Sequence, residues 1–119
     1  MDRSIVLACG GAPITNGGVP LAGGSTLVVQ VTGTAVGGVS VPAGAKAVIA
    51  NLTALPFTRG DLTIWADGLP RPNASNLNYT PGINIANFVM SALSASGKAD
   101  IYAHVGTTNV ILDVAGFIV

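Results

Sequence analysis

The sequence predicts an all-β domain, an antiparallel β-sandwich of jelly-roll type with little or no helix. Three observations predict it. From Val41 onward, apolar runs rich in Val, Ile and Thr are separated by Gly, Pro and Asn, giving roughly seven to nine short strands with turn signals about every 8–12 residues. Within several runs apolar and polar residues alternate with period two, as on a strand with one face in a core. No segment combines a 3.6-residue apolar period with capping residues, and no fixed-length repeat suggests a solenoid or propeller. A chain of 119 residues reads as one domain with a single core. Residues 1–44 form a Gly/Pro-rich N-terminal region with a possible arm, and residues 41–119 hold the regular sandwich strands.

Taken in order, Ile5–Cys9 is the first expected strand, with Cys9 a buried small hydrophobe. Gly-Gly pairs at 10–11, 17–18, 23–24 and 37–38, with Pro13, Pro20 and Pro42 between them, mark loops and hairpins. Thr26–Thr32 is a β-branched strand with Leu27, Val29 and Val31 on one face and Val28 and Gln30 on the other. The segment Ile14–Gly24 is either an arm laid across a neighbour or, the favoured alternative, a loop across its own sandwich. Lys46–Ala54 has Val48, Ala50 and Leu52 on one face and Ala47, Ile49, Asn51 and Thr53 on the other. Both faces are rather apolar, as in a central strand with one face in the core and one covered. Asp61–Ala66 places Leu62 and Ile64 inward and Thr63 and Trp65 outward. Ser75–Tyr79 and Ile85–Leu93 are further strands. Lys98–His104 sets Ala99, Ile101 and Ala103 against Lys98, Asp100, Tyr102 and His104, and Asn109–Val119 is the longest strand.

The composition narrows the function. Half of the residues are hydrophobic, only 8% are charged, and the mean hydropathy is +0.63, where about a quarter of an ordinary domain is charged. A helical membrane span needs roughly 20 uninterrupted apolar residues, and every window of that length here contains Gly, Pro, Asn or a charge, so no membrane partner is expected. The cations are Arg3, Lys46, Arg59, Arg71 and Lys98, balanced to a net charge of zero. They form no basic patch, so no nucleic acid is expected as a partner. An uncharged surface resists association poorly, which points to a chain covered in a larger assembly. Cys9 is the only cysteine, so no internal disulfide is expected. The apolar stretch before it is too short for a signal core, and synthesis in a cytosol without a signal peptide is the expectation.

Catalysis, cofactor binding and metal binding all lack a residue set. The acids are five Asp with no Glu, there is one His, and no HExxH, paired-Cys, P-loop or GxSxG motif occurs. We therefore expect no enzyme, no cofactor and no metal centre. His104 falls on the strand face of Asp100 and Tyr102, where a polar outer patch is the simple account. Asp113, embedded in Val110–Val114, must be hydrogen-bonded or exposed. The expected role is to tie down a loop or backbone amides, against a hard-cation site shared with Asp61, Asp67 or Asp100. Asn is disfavoured in strands, so Asn51, Asn76, Asn78 and Asn87 are expected to satisfy irregular backbone. Trp65, Tyr79 and Tyr102 are the candidates for stacking on a sugar, although a Trp65 packed under a loop or a subunit is the favoured alternative.

Several stretches resemble a small β domain common in actinobacteria and their phages. They are VPAGA at Val41–Ala45, NLTA at Asn51–Ala54, PRPNASNLN at Pro70–Asn78, the Pro81-Gly82 turn, Ala86-Asn87 and DVAGF at Asp113–Phe117. The resemblance covers residues 41–119, and ASNLN and DVAGF are its most specific parts. Such domains are appended to secreted cell-wall hydrolases and occur in phage virion structural proteins. The resemblance implies a β-sandwich with no catalytic residues to carry over. Without a catalytic partner domain or an export signal, this chain is expected to follow the phage form. That form is a capsid decoration or minor capsid protein located in the virion, self-associating (a trimer by analogy) and binding a major capsid or other virion protein. In that reading residues 1–44 supply particle contacts. The alternative is a module that binds cell-surface glycan or peptidoglycan.

Overall fold

A computed structural model describes residues 5–7, 13–36 and 39–119. Among the described residues there are eleven strands and no helix: β1 (Ile5–Leu7), β2 (Ile14–Thr15), β3 (Thr26–Gln30), β4 (Ala35–Val36), β5 (Val39–Ser40), β6 (Ala47–Pro56), β7 (Gly60–Ala66), β8 (Leu77–Tyr79), β9 (Ile85–Ala92), β10 (Lys98–Ala103) and β11 (Thr108–Ile118). The expected all-β sandwich is what forms. One sheet has the order β1-β11-β6-β9, with β2 also paired to β11; the second has the order β3-β10-β7-β8; β4 and β5 make a separate hairpin. Every ladder is antiparallel.

Alternation builds the core as the sequence suggests. From the first sheet, Val48, Ala50, Leu52 and Ala54 of β6 and Val110 and Leu112 of β11 point inward. They meet Leu62 and Ile64 of β7, Ala99, Ile101 and Ala103 of β10 and Val29 of β3, and all belong to one cluster. Small Ala residues on both central strands let the sheets approach, while the branched residues fill the space between them.

Strand β11 breaks the simple rule. Its register against β6 shifts between Val114, opposite Ala50, and Gly116, opposite Ile49. Ala115 is the extra residue of a β-bulge, which turns the following side chains over. Phe117 therefore joins the core at a position that strict alternation from Leu112 would send outward.

Residues 14–24 lie across their own sandwich, the favoured alternative. Ile14 and Thr15 pair with Leu112 and Ile111, and Leu21 is buried and exchanges both backbone hydrogen bonds with Thr108, at 2.8 and 3.1 Å. Cys9, with its expected burial, lies outside the described residues.

Candidate functional site

The outer face of the second sheet carries the polar side chains, and loop 67–76 between β7 and β8 folds over it. Two side chains of β7 hold the loop down. The Thr63 hydroxyl donates to the Ala74 carbonyl at 2.7 Å, and the Trp65 indole N–H donates to the Leu69 carbonyl at 2.9 Å. Asn76 closes its far end: its Oδ1 accepts from the Ile64 amide at 2.9 Å, and its carbonyl accepts from the Asn87 side chain at 2.8 Å. Thr63 is consequently buried although it points outward.

Beside this loop lies a polar groove of about 270 Å³, lined by Asp61, Thr63, residues 71–75, Tyr102 and His104. His104 Nδ1 lies 3.2 Å from Asp61 Oδ1, the only ion pair among the described residues. The Tyr102 and His104 rings are neighbours at 6.4 Å, and the Arg71 guanidinium sits 3.9 Å above the Tyr102 ring. That stacking is a cation–π contact. It occupies the ring face that a pyranose would need. Of the expected polar patch, Tyr102 and His104 lie together with Asp61 and Arg71, whereas Asp100, on the same strand face, is nearly buried and does not line the groove.

The three stacking candidates do not assemble. Trp65 is half-buried and tied to its own loop, as in the alternative favoured from the sequence. Tyr79 points inward from β8 and is only 2% exposed. Its hydroxyl lies 3.3 Å from the carbonyls of both Val105 and Gly106, and burial, reinforced by the Asp61 charge, pushes its pKa above the ordinary tyrosine value. Its role as a sugar platform is corrected for a simple reason: Leu77 and Tyr79 share one face of β8, and that face is the core. Tyr79→Phe is expected to cost about 1 kcal/mol, because the corner at 105–106 loses its donor; urea unfolding checks this.

The polar structural residues divide. Asn76 and Asn87 do satisfy irregular backbone. Asn51, Asn78 and Asp113 are exposed and make no side-chain hydrogen bond among the described residues. Asn51 and Asp113 face each other across the regular part of the β6–β11 ladder. There the backbone is already paired and asks nothing of either side chain. Asp113 therefore ties down no loop, and it lies on the opposite sheet from Asp61 and Asp100. No group of three metal-ligating side chains forms among the described residues.

A different surface was not singled out from the sequence. Strand β9 is the free edge of the first sheet. Phe88 and Met90 point outward from it, each 66% exposed, and Ile83 beside its start is 60% exposed. Phe88 lies opposite Asn51 and Met90 opposite Ile49, so no charge adjoins either on β6. On its other side, Ile83 and Ile85 line a cavity of about 410 Å³ with Tyr79 and Arg59. The signal was present in Ile85–Ala92, IANFVMSA, where the face of Ala86, Phe88, Met90 and Ala92 is wholly apolar and there is no charge, Gly or Pro. Edge strands are ordinarily blunted by those residues or by being very short. Strand β2, paired to β11 on the far side of the sheet, is short in this way; β9 carries neither device.

A scan against protein-family models and searches of curated proteins and of solved structures find no match to this chain.

Proposed function

We propose that this chain is a non-enzymatic virion structural protein, a capsid decoration or minor capsid protein that seats on an assembled shell and stabilises it by adding buried surface. The unblunted, uncharged β9 edge carries the reading. The outer edge of this eight-residue strand, paired only to β6 and flanked by Ile83, Ile85, Phe88 and Met90, makes a surface suited to being covered. The contact falls on β9 in this reading, because residues 14–24 are already packed on their own sandwich. Self-association, as a trimer at local threefold positions, and synthesis in the host cytoplasm belong to the same proposal.

Strand order supports a jelly roll. Strand β1 pairs with β11, β3 with β10, β6 with β9 and β7 with β8. These four pairs nest like one long eight-strand hairpin rolled into two sheets, the plan shared by many capsid and lectin domains. Fold alone does not choose between shell and sugar; the apolar edge favours the shell.

The test is sedimentation. In a density gradient of phage lysate the protein is expected to travel with intact particles at a fixed ratio to the major capsid protein. A Phe88→Lys, Met90→Lys variant is expected to keep its thermal stability, both side chains being exposed, and to lose about tenfold or more of its particle occupancy. Particles free of the protein would sink the proposal; particles that bind the variant normally would remove β9 as the contact.

One observation favours the glycan-binding alternative, namely the groove of Asp61, Arg71, Tyr102 and His104, which offers hydrogen-bond donors and an acceptor, with Arg71 having to leave the Tyr102 ring before a sugar could stack on it. Retention on purified cell-wall sacculi, abolished by Tyr102→Ala, would promote it.

A further inference from the structure

A cavity of about 410 Å³ lies between the turn that joins β8 to β9 and the start of β7. Pro81 and Gly82 make that turn, Gly82 with a φ of +80°. Ile83 and Ile85 follow it 60% and 38% exposed instead of entering the core. These two side chains and the ring of Tyr79, a core residue, give the cavity apolar walls. Its volume falls in the range of small-molecule sites, roughly 300–1,000 Å³, and its lining has their character, apolar walls with a few polar groups.

The polar side chains are those of Arg59, Asn78 and Thr80, all exposed. Among the described residues none of the three makes a side-chain hydrogen bond, and Arg59 has no acidic partner, the one ion pair being His104 with Asp61. The acid opposite Asn78 in the β7–β8 ladder is Asp61, which lines the polar groove with His104 and not this cavity. A guanidinium stays charged at any ordinary pH, and its planar fork matches a carboxylate. One cation beside an apolar wall suits a ligand with one negative charge and a hydrocarbon tail. It suits neither a sugar, whose many hydroxyls would meet mostly hydrocarbon, nor a polyphosphate, which would meet a single cation.

We infer that this cavity binds a small aliphatic carboxylate, with its chain between Ile83, Ile85 and Tyr79 and its head on Arg59. The Asn78 amide and the Thr80 hydroxyl supply further donors to the head. The inference is independent of the virion reading, since it needs no second protein. For a ligand of about ten non-hydrogen atoms, Kd on the order of 10⁻⁴–10⁻³ M is expected.

Octanoate is the probe, titrated at neutral pH into the full chain carrying methyl-labelled isoleucine and followed by NMR. Saturable shifts are expected at the Ile83 and Ile85 methyls. Shortening the acid to hexanoate and butyrate is expected to weaken binding about two- to fourfold per methylene. Octanamide, which lacks the charge, is expected to bind the parent protein about tenfold or more weaker. Arg59→Gln is expected to weaken octanoate by the same factor and to leave octanamide unaffected, at an unchanged Tm because Arg59 is exposed. The Phe88→Lys, Met90→Lys protein, altered on the outer face of β9, is expected to bind octanoate normally. Equal affinity for octanoate and octanamide, octanoate binding that survives Arg59→Gln, or binding lost with Phe88 and Met90 would overturn the assignment. So would the absence of saturable shifts at Ile83 and Ile85, which would leave the cavity to a protein side chain.

Discussion

Gly60→Ala is expected to be among the most damaging single-methyl additions in this chain, costing about 3 kcal/mol and lowering the Tm by roughly 10–20 °C. Gly60 opens β7 at the point where the chain leaves the turn after β6. A Cβ there would overlap the Val105 carbonyl oxygen and press on the Tyr79 ring, with its hydroxyl 2.7 Å and Cε1 2.9 Å away. Neither neighbour can yield cheaply. Tyr79 is packed in the core. The loop carrying Val105 is held by the His104 amide on the Asp61 carbonyl at 3.0 Å, the Thr107 amide on the Thr58 hydroxyl at 2.8 Å and the Phe57 amide on the Thr107 carbonyl at 2.9 Å. Relief would break several of these bonds together. Gly82→Ala is the control: its φ is +80° but a Cβ would meet nothing within 4 Å, so only the backbone penalty of about 1 kcal/mol applies. Thermal unfolding of the two variants side by side measures the difference, and equal losses would refute the close-approach account.

The main strands were legible because their side chains answer to one rule. In β3, β6, β7 and β10 the residues named as inward from alternation are the ones that pack, with Leu27 only partly buried. Three features escaped the reading, for three reasons. Phe117 enters the core through the bulge at Ala115, and a bulge changes register without changing the apolar character of the strand. Thr63, Trp65 and Asp100 point outward as read but are wholly or partly covered, because loop 67–76 returns over them. Its hydrogen bonds from Thr63 and Trp65 are tertiary facts with no local signature. Tyr79 was misjudged although its spacing from Leu77 places both on one face, so alternation already identified it as core. The candidate site suffers most from this. Single aromatic or acidic residues in a sequence say little until the fold decides which of them meet, and here Tyr102 meets Arg71 while Asp100 meets Asp67.

Stability is expected to increase as the pH is lowered from 7 towards 4, the reverse of ordinary acid denaturation. Burial, then the hydrogen bond and charge of Asp67, push the Asp100 carboxyl up to about 6 from 3.8. Between those values the folded protein holds a proton that the unfolded chain has released. The folded state thus binds more protons, and stability falls as pH rises through that window. The stabilisation is complete below about pH 4 and gone above about pH 6, and the shift corresponds to at most on the order of 3 kcal/mol. Little opposes it, since the one ion pair among the described residues, His104 with Asp61, is half open to solvent and pairs of that kind contribute about 0–1 kcal/mol. Asp100→Asn should flatten the profile and leave the protein more stable than the parent at pH 7, because an amide beside Asp67 carries no charge and can donate to it. Urea unfolding across pH 4–7 on both proteins decides the matter. A parent profile that is flat or falls towards acid, or one that survives Asp100→Asn unchanged, would show that the Asp67–Asp100 contact does not govern stability in this range.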